Sequence, residues 1–507
     1  MVAAASPPAA RAGAEVLAAG GHAVDAAIAA ALVMGVVEPI DCGLAAGGFL
    51  VVHDGESGAA HALDFMGAAP RAARYEFVPE FGDFLKDFRL RVKDRANELG
   101  ARAVAVPGAL RGFEAAHRRF GRLPWADLVA PAARVAREGF RVDRYLAERI
   151  AENGDYLARF PESRRLLHGE GGPRRPGEPM ASPDLARSLD AVGREGADAL
   201  YTGSLAGPLL DEIRRGNGFL DAEDLRAYRV RWRPPAEGVF AGCRVSSMSP
   251  PSAGALVVAA LQALDGRLDG NALARQDPAA LDRVLRVMRA AQAARAAHLG
   301  DPLFTPVPVE RWTGAEFAAT LAAEGPETTS LSVVDRDGNA VSLTYSNMNF
   351  SGITVPGTGI VLNNQMLLFT PVPGTANSIE PGRRPASSMC PTVLVRDGRV
   401  RLALGASGGP RIPTAIVWVV LNHLVAGLPI DRAVAQWRAH HEGGVVDVER
   451  SLAAAAGPAL EARGWRLNPL DDHHRLLALC QAVAVHADGR VEGAGDPRGD
   501  GLAVAEA

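Results

Sequence analysis

Thr328 and Thr329 stand side by side in the stretch EGPETTSLSVVDRDGNAVSLTYS, which runs from Glu324 to Ser346. A threonine hydroxyl is a poor nucleophile near neutral pH and needs a base within hydrogen-bond reach. A threonine at the start of a chain carries one, its own α-amine, with an ordinary pKa of about 7.7–8.0. That amine can take the hydroxyl proton and return it to a leaving amine, with no His or Asp partner. An internal threonine gains the amine only when the bond before it is cut. Its hydroxyl can begin that cut by attacking the Glu327 carbonyl, which forms an ester for water to hydrolyse. The bland alternative is a loop that happens to end in threonine at the mouth of a strand.

Acyl transfer also needs donors aimed at the oxyanion. The string GASGGPRI places Gly408 and Gly409 directly ahead of a predicted helix. Glycine lets backbone N–H groups approach a ligand closely, and a helix N-terminus favours negative charge. Taken alone, a Gly-Gly pair before a helix is most often only a turn.

The elements that must position these residues are legible as patterns. After Thr328, LSVVD, a turn at RDGN and AVSLTYS alternate apolar and polar, which predicts a hairpin turning at Asp337-Gly338. TVLVRDGRVRLALGAS repeats that form and leads into a buried helix, GGPRIPTAIVWVVLNHLVAGL. Upstream, PPAARAGAEVLAAGG has proline near its start and glycines at its end, the punctuation of a helix. HAVDAAIAAALVMGVVEP is apolar nearly all round and predicts a buried helix. GGFLVVHD, GESG and AAHALDF predict another hairpin. AVAVPGALRGFEAAHRRFGRLPWADLVAPAARVAREGF reads as a strand, a Pro-Gly turn and two helices. Residues 163–190 read as a polar surface excursion, Pro278 to His298 as helical, and the text from there to Glu327 as a mobile lead-in. Strand pairs on both sides of Thr328, flanked by helices, predict two sheets stacked between helix layers.

Bulk properties narrow the function. The 507-residue chain is 48% hydrophobic and 22% charged, with a net charge of −4. No basic stripe argues for nucleic acid and no apolar run is long enough for a membrane span, so a small-molecule substrate is expected. Cys42, Cys243, Cys390 and Cys480 are scattered and read as reduced core residues. Asp471, Asp472, His473 and His474 are adjacent and point different ways, which suits a solvated turn better than a metal site. No cofactor and no metal are expected. The opening MVAAASPPAARAGAEVL lacks a basic n-region and an apolar h-region, so the expected compartment is the cytoplasm, or the periplasm or exterior for a trimmed chain.

Ordered blocks along the sequence carry a resemblance. They are GAEVLAAGGHAVDAAIAAALVMGVVEP, GLAAGGFLVV, the long AVPGALRGFEAAH segment, TTSLSVVDRDGNAVSLT, GTGIVLNNQM, RRPASSMCPT, GASGGPRI and GAGDPRGDG. With them the chain resembles the γ-glutamyltranspeptidase family of N-terminal-nucleophile hydrolases over nearly its whole length. The resemblance implies a four-layer αββα sandwich, made as one precursor and cut into residues 1–327 and 328–507, which together form one unit. It implies that Thr328 is the nucleophile, with Thr329 the runner-up, and that Glu327–Thr328 is the bond cut. It places Ser346 as a second hydroxyl that bonds the nucleophile, Gly408 and Gly409 in the oxyanion hole, and Ser387, Ser388 and Gln365 at the substrate. Asn349 or Asn347 stands for a substrate-binding asparagine, and the assignment between them stays open. Beyond the two pieces of the precursor, a homo-oligomer is possible.

The departures from the family pattern matter as much. The resemblance implies an arginine for the substrate α-carboxylate where this chain has Met66, in LDFMGAAP. It implies acidic residues for the α-amine where Leu367 and Leu368 stand. Ala45 and Ala46 replace usual glycines. Each lost charged hydrogen bond removes roughly 1.5–3 kcal/mol. The expected substrate is therefore a γ-glutamyl amide with rebuilt anchors or, preferably, another small carboxylated amide. Oxamate-type and cephalosporin-acylase-type activities are the alternatives within the family. An unprocessed, non-catalytic binding paralogue is the alternative from another class. Arg71, Arg74, Arg383 and Arg384 are the arginines nearest the matched motifs that could hold a carboxylate.

Overall fold

A computed structural model describes residues 1–73, 79–80, 91–169, 171–313 and 329–506. Two antiparallel sheets take strands from both sides of residue 328. The strands are β1 (Val2–Ala4), β2 (Gly47–His53), β3 (Ala60–Phe65), β4 (Arg231–Arg233), β5 (Ala236–Phe240), β6 (Cys243–Ser247) and β7 (Thr329–Val334). They continue with β8 (Ala340–Ser346), β9 (Thr392–Arg396), β10 (Arg399–Ser407), β11 (Leu479–Val485), β12 (Val491–Gly495) and β13 (Leu502–Val504). The first sheet has the order β4-β3-β2-β8-β7-β1-β13 and the second the order β5-β6-β9-β10-β11-β12. Both hairpins that follow Thr328 form as the alternation requires, β7–β8 with Gly338 at φ 80° in its turn and β9–β10 further along the chain.

Three apolar clusters separate the layers. One packs the first sheet against α1 (Pro7–Ala18), α2 (Ala23–Val37), α3 (Ala109–Phe120), α4 (Trp125–Glu138) and α6 (Pro183–Glu195), where α5 is the short helix Arg144–Glu152. A second packs the other sheet against α7 (Gly254–Leu264), α8 (Pro278–His298) and α9 (Arg411–Leu424). The third lies between the sheets and includes Phe49, Val51, Met66, Val334, Val393 and Val483. Period-two alternation makes this possible: Leu331 and Val333 of β7 enter the helix-side cluster, while Val334 enters the one between the sheets. Helix α2 is buried on nearly every face, as its composition requires, and Asp25 with His22 forms a capping box at its start.

Two expectations are corrected. Val104–Val106 forms no strand; it makes one bridge, Ala68 to Val106, because the Asn363 side chain takes the Ala105 backbone on both its N–H and its carbonyl. The 163–190 stretch is more than a surface excursion. It takes in most of the helix Pro161–Leu167 and the start of α6, and it buries Leu167 and Met180 in a satellite cluster with Ile150 and Phe350. The lead-in from residue 299 to Glu327 is described only as far as residue 313: that part carries the short helix Val309–Thr313 and buries Trp312 in the second cluster, and residues 314–327 lie outside those described. All four cysteines are buried and unbridged. No helix of the described residues is long and apolar enough to cross a membrane.

Candidate active site

The site is assembled where β8 ends and β10 runs into α9. Ser346 is fully buried. Its hydroxyl donates to the Asp41 carbonyl at 3.1 Å and accepts the Met348 N–H at 2.8 Å. Asp41 is itself clamped by Arg149 of α5, whose Nε and Nη2 reach the carboxylate at 3.0 and 2.8 Å. Arg149 also pairs with Glu152 at 2.9 Å and donates to Asn349 Oδ1. Asn349 Nδ2 donates to Asn153 Oδ1 at 3.1 Å, so both ends of that amide are engaged inside the protein. Asn347 differs. Its Nδ2 donates to the Pro39 carbonyl at 3.2 Å, but its buried Oδ1 has no partner among the described residues.

Gln365 braces three segments at once. Its Nε2 donates to the carbonyls of Ser346 at 2.7 Å and Gly47 at 3.2 Å, and its Oε1 accepts the Gly67 N–H at 3.0 Å. A Cβ at Gly67 would lie 2.2 Å from that oxygen, so a side chain there would push the Gln365 amide off its three partners. Gln365 therefore positions the backbone around Met66 and Ser346 and keeps little hydrogen-bonding capacity for a ligand.

The two positions where the resemblance implies charged residues lie in one apolar cluster. Met66 and Leu368 belong to the inter-sheet cluster that also holds Met248, Met348 and Met389. Met348 and Met389 directly follow, by two residues and one, the site residues Ser346 and Ser388. Methionine is flexible and polarizable and fits itself around irregular apolar groups. The nearby arginines are committed elsewhere. Arg384 is 1% exposed and pairs with Asp64 at 2.6 Å, and Arg383 pairs with Glu380 at 2.9 Å. Arg71 lies on the surface against Asp221 and Asp224. Arg74 is outside the described residues.

Ser387 and Ser388 sit against the loop with the cis Pro250–Pro251 peptide, whose Pro251 carbonyl accepts the Ser387 N–H at 2.9 Å. The Ser387 hydroxyl accepts the Met389 N–H at 3.2 Å. The Ser388 hydroxyl is buried and has no partner among the described residues. Gly408 and Gly409 have φ 125° and 61°, which glycine adopts freely, and their carbonyls start α9 by accepting from Arg411 and Ile412. Gly405, three residues earlier, packs over Ser330, Ser342 and Thr344 of the facing hairpin. The end of β10 is thereby stacked on the two strands that follow Thr328 in sequence. Thr328 and Glu327 themselves lie outside the described residues.

Residues 405–409 also spell G-x-S-x-G, a pattern that can mark a serine nucleophile on a strained strand-to-helix turn. Ser407 does not have that geometry. It is in ladder register with Leu479 and is not among the residues with positive φ. Asp471 and Asp472 bind separately to Arg450 and Ser451, and no group of three or more metal-ligating side chains occurs among the described residues. The sequence reading missed Asp41 and Arg149. A clue was the EPIDCG run beside the first signature, but nothing local distinguishes Arg149 from a surface arginine of an amphipathic helix.

Stacked antiparallel sheets between helices, with a Gly-Gly turn and hydroxyl-bearing strands at one end, fit an amide hydrolase of the N-terminal-nucleophile type. A family model described as Gamma-glutamyltranspeptidase matches residues 9–506. The chain belongs to the γ-glutamyltranspeptidase family. It is 35% identical to the Acylase ACY 1 proenzyme of Pseudomonas sp. (strain SE83), over 98% of this chain and 92% of that protein. It is 34% identical to the Glutathione hydrolase proenzyme of Pseudomonas aeruginosa, over the same shares. Among solved structures, the cephalosporin acylase from Bacillus halodurans superposes with a TM-score of 0.89 at 27% identity, covering 99% of this chain and 94% of that one.

Proposed function

We propose that the protein is an autoprocessing amide hydrolase that works through an acyl-threonine, and that its acyl pocket accepts a group without the α-ammonium of a γ-glutamyl residue. Thr328 Oγ attacks the Glu327 carbonyl carbon, the C–N bond breaks, and the acyl group passes to oxygen. Water hydrolyses the ester, leaving a Glu327 carboxylate and a free Thr328 amine. In turnover the same oxygen attacks a substrate amide while the α-amine takes its proton and passes one to the leaving amine. Gly408 and Gly409 N–H groups stabilise the oxyanion, and water releases the acid. The four-layer αββα reading, with residues 1–327 and 328–507 as one unit, is supported by the three apolar clusters and by strands from both pieces in each sheet.

The observation that carries the substrate reading is Met66 and Leu368 buried together among methionines, with Arg71, Arg383 and Arg384 each already held by protein carboxylates. A zwitterionic group placed there would be desolvated without partners. The free hydrogen-bonding capacity lies at Ser388 Oγ and Asn347 Oδ1, which favours Asn347 over Asn349 as the asparagine that meets substrate. These neutral groups suit an amide or a single carboxylate better than an amino-acid head. Support for an acylase-like preference also comes from the names of the acylase relatives.

A matched series of p-nitroanilides tests the reading: γ-glutamyl, glutaryl (α-amine removed) and butanoyl (both α-groups removed). The glutaryl or butanoyl compound should exceed the γ-glutamyl one in kcat/KM by about 100-fold or more, the worth of two charged hydrogen bonds. A preference for the γ-glutamyl compound overturns it.

A further inference from the structure

Behind the Gly408–Gly409 turn lies a closed set of four charges. Arg438, Glu449, Asp496 and Arg498 are each at most 1% exposed. Arg438 Nη2 meets Asp496 Oδ2 at 2.8 Å, Arg498 Nη1 meets Asp496 Oδ1 at 3.1 Å, and Arg498 Nη2 meets Glu449 Oε2 at 2.6 Å. The charges cancel, and burial alone would raise the Asp496 pKa, but Arg438 and Arg498 hold it below its ordinary value. A buried set of this kind is weak as a source of stability and strong as a constraint on geometry.

The constrained object is Ala478. Arg438 Nη1 donates to its carbonyl at 2.8 Å, and Asp496 Oδ2 accepts the N–H of the next-but-one residue, Cys480, at 2.8 Å. Ala478 has φ 69° and ψ 155°, a conformation that side-chain-bearing residues avoid and that persists only when the surroundings enforce it. It also touches the anion site. A Cβ built on Gly408 would fall 2.5 Å from Ala478 Cα, so the two backbones are in direct contact.

We propose that the Arg438–Asp496 pair is a positioning device, which holds the strained Ala478 peptide as a wedge against Gly408 and so fixes the Gly408–Gly409 backbone for oxyanion binding. The inference rests on the reading of those glycines as the anion donors. Arg438 and Ala478 touch no substrate; they act through Gly408. A network that served stability alone would have no reason to impose an unfavourable conformation at the one alanine that backs this glycine.

Arg438→Lys is the direct test, because it loses the planar fork that grips the Ala478 carbonyl and Asp496 together. With the best-cleaved p-nitroanilide of the series above, KM should stay within about twofold while kcat falls about 10–100-fold in its folded fraction, at most the loss of one oxyanion donor. Ala478→Gly alone should keep kcat and KM within about twofold of the wild type, with a thermal midpoint that equals or exceeds it, because glycine adopts φ 69° without strain. For the same reason it should restore much of the kcat lost in Arg438→Lys, a rescue that a purely stabilising network would not give. An unchanged kcat in Arg438→Lys, or no rescue in the double variant, overturns the wedge. Gly408→Ala separates this from the underlying reading. If it leaves kcat intact, the anion-site assignment fails; if it collapses kcat while Arg438→Lys does not, only the wedge fails.

Discussion

The two faces of the β7–β8 hairpin are built from opposite materials. Leu331, Val333, Val341, Leu343 and Tyr345 face the helices and are sealed into one apolar cluster. Ser330, Ser332, Ser342, Thr344 and Ser346 alternate with them and are just as buried. Ser332 and Ser342 donate across to the second sheet, to the carbonyls of Gln481 at 3.0 Å and Leu404 at 2.8 Å. The contrast shows how one strand pair divides its tasks. The helix-side face carries the burial that holds the fold, and the inter-sheet face carries the hydroxyls that tie the two sheets together.

The comparison can be broken most forcefully by acid. His440 belongs to the second helix-side layer, where it meets Thr414 Oγ1 at 2.9 Å. Burial, and then the nearby Arg411 charge, lowers its pKa from 6.5 to about 3. The unfolded chain therefore binds a proton below about pH 6.5 that the folded chain refuses until about pH 3. Stability should fall as pH drops through that window, by up to about 4–5 kcal/mol from this group. Urea midpoints against pH should show the slope, and His440→Asn should flatten it. An identical slope in the variant would mean that the helix-side layer holds no such group.

Next in size is Leu343→Ala, on the helix-side face. It should lower unfolding free energy by about 2–5 kcal/mol and leave kcat per folded molecule unchanged. Its sequence neighbour Ser342→Ala, on the other face, should cost about 1 kcal/mol for its one hydrogen bond. If the two variants destabilise equally, the division between the faces is wrong. Smallest is Thr344→Val. Its Oγ1 is buried with no partner among the described residues, so a methyl of the same shape should be neutral or stabilise by about 0.5–1 kcal/mol. A loss beyond about 1 kcal/mol would show that this hydroxyl is bonded in solution.

Much of this was legible in the sequence because it is local. The helix Pro278–His298, the all-round apolar α2 and the hairpin at Asp337-Gly338 each follow from spacing and turn chemistry. Met66 and Leu368, where the family resemblance implies charges, stood out too, but only through that resemblance. What stayed hidden depends on pairs far apart in the chain. Arg149 and Asp41 are 108 positions apart, and no helix pattern tells a buried arginine from an exposed one. Val104–Val106 looked like a strand because it is apolar, but Asn363 satisfies its backbone in place of a neighbouring strand. The strain at Ala478 has no signature at all, because an alanine in sequence does not announce its φ.

Intact mass under denaturing conditions bears most directly on the central claim, that Thr328 becomes an N-terminus and the nucleophile. The account predicts two chains from the wild type, residues 1–327 and 328–507, and one uncut, inactive 507-residue chain from Thr328→Ala. A wild-type protein that stays in one piece while it hydrolyses amides at full rate would contradict it.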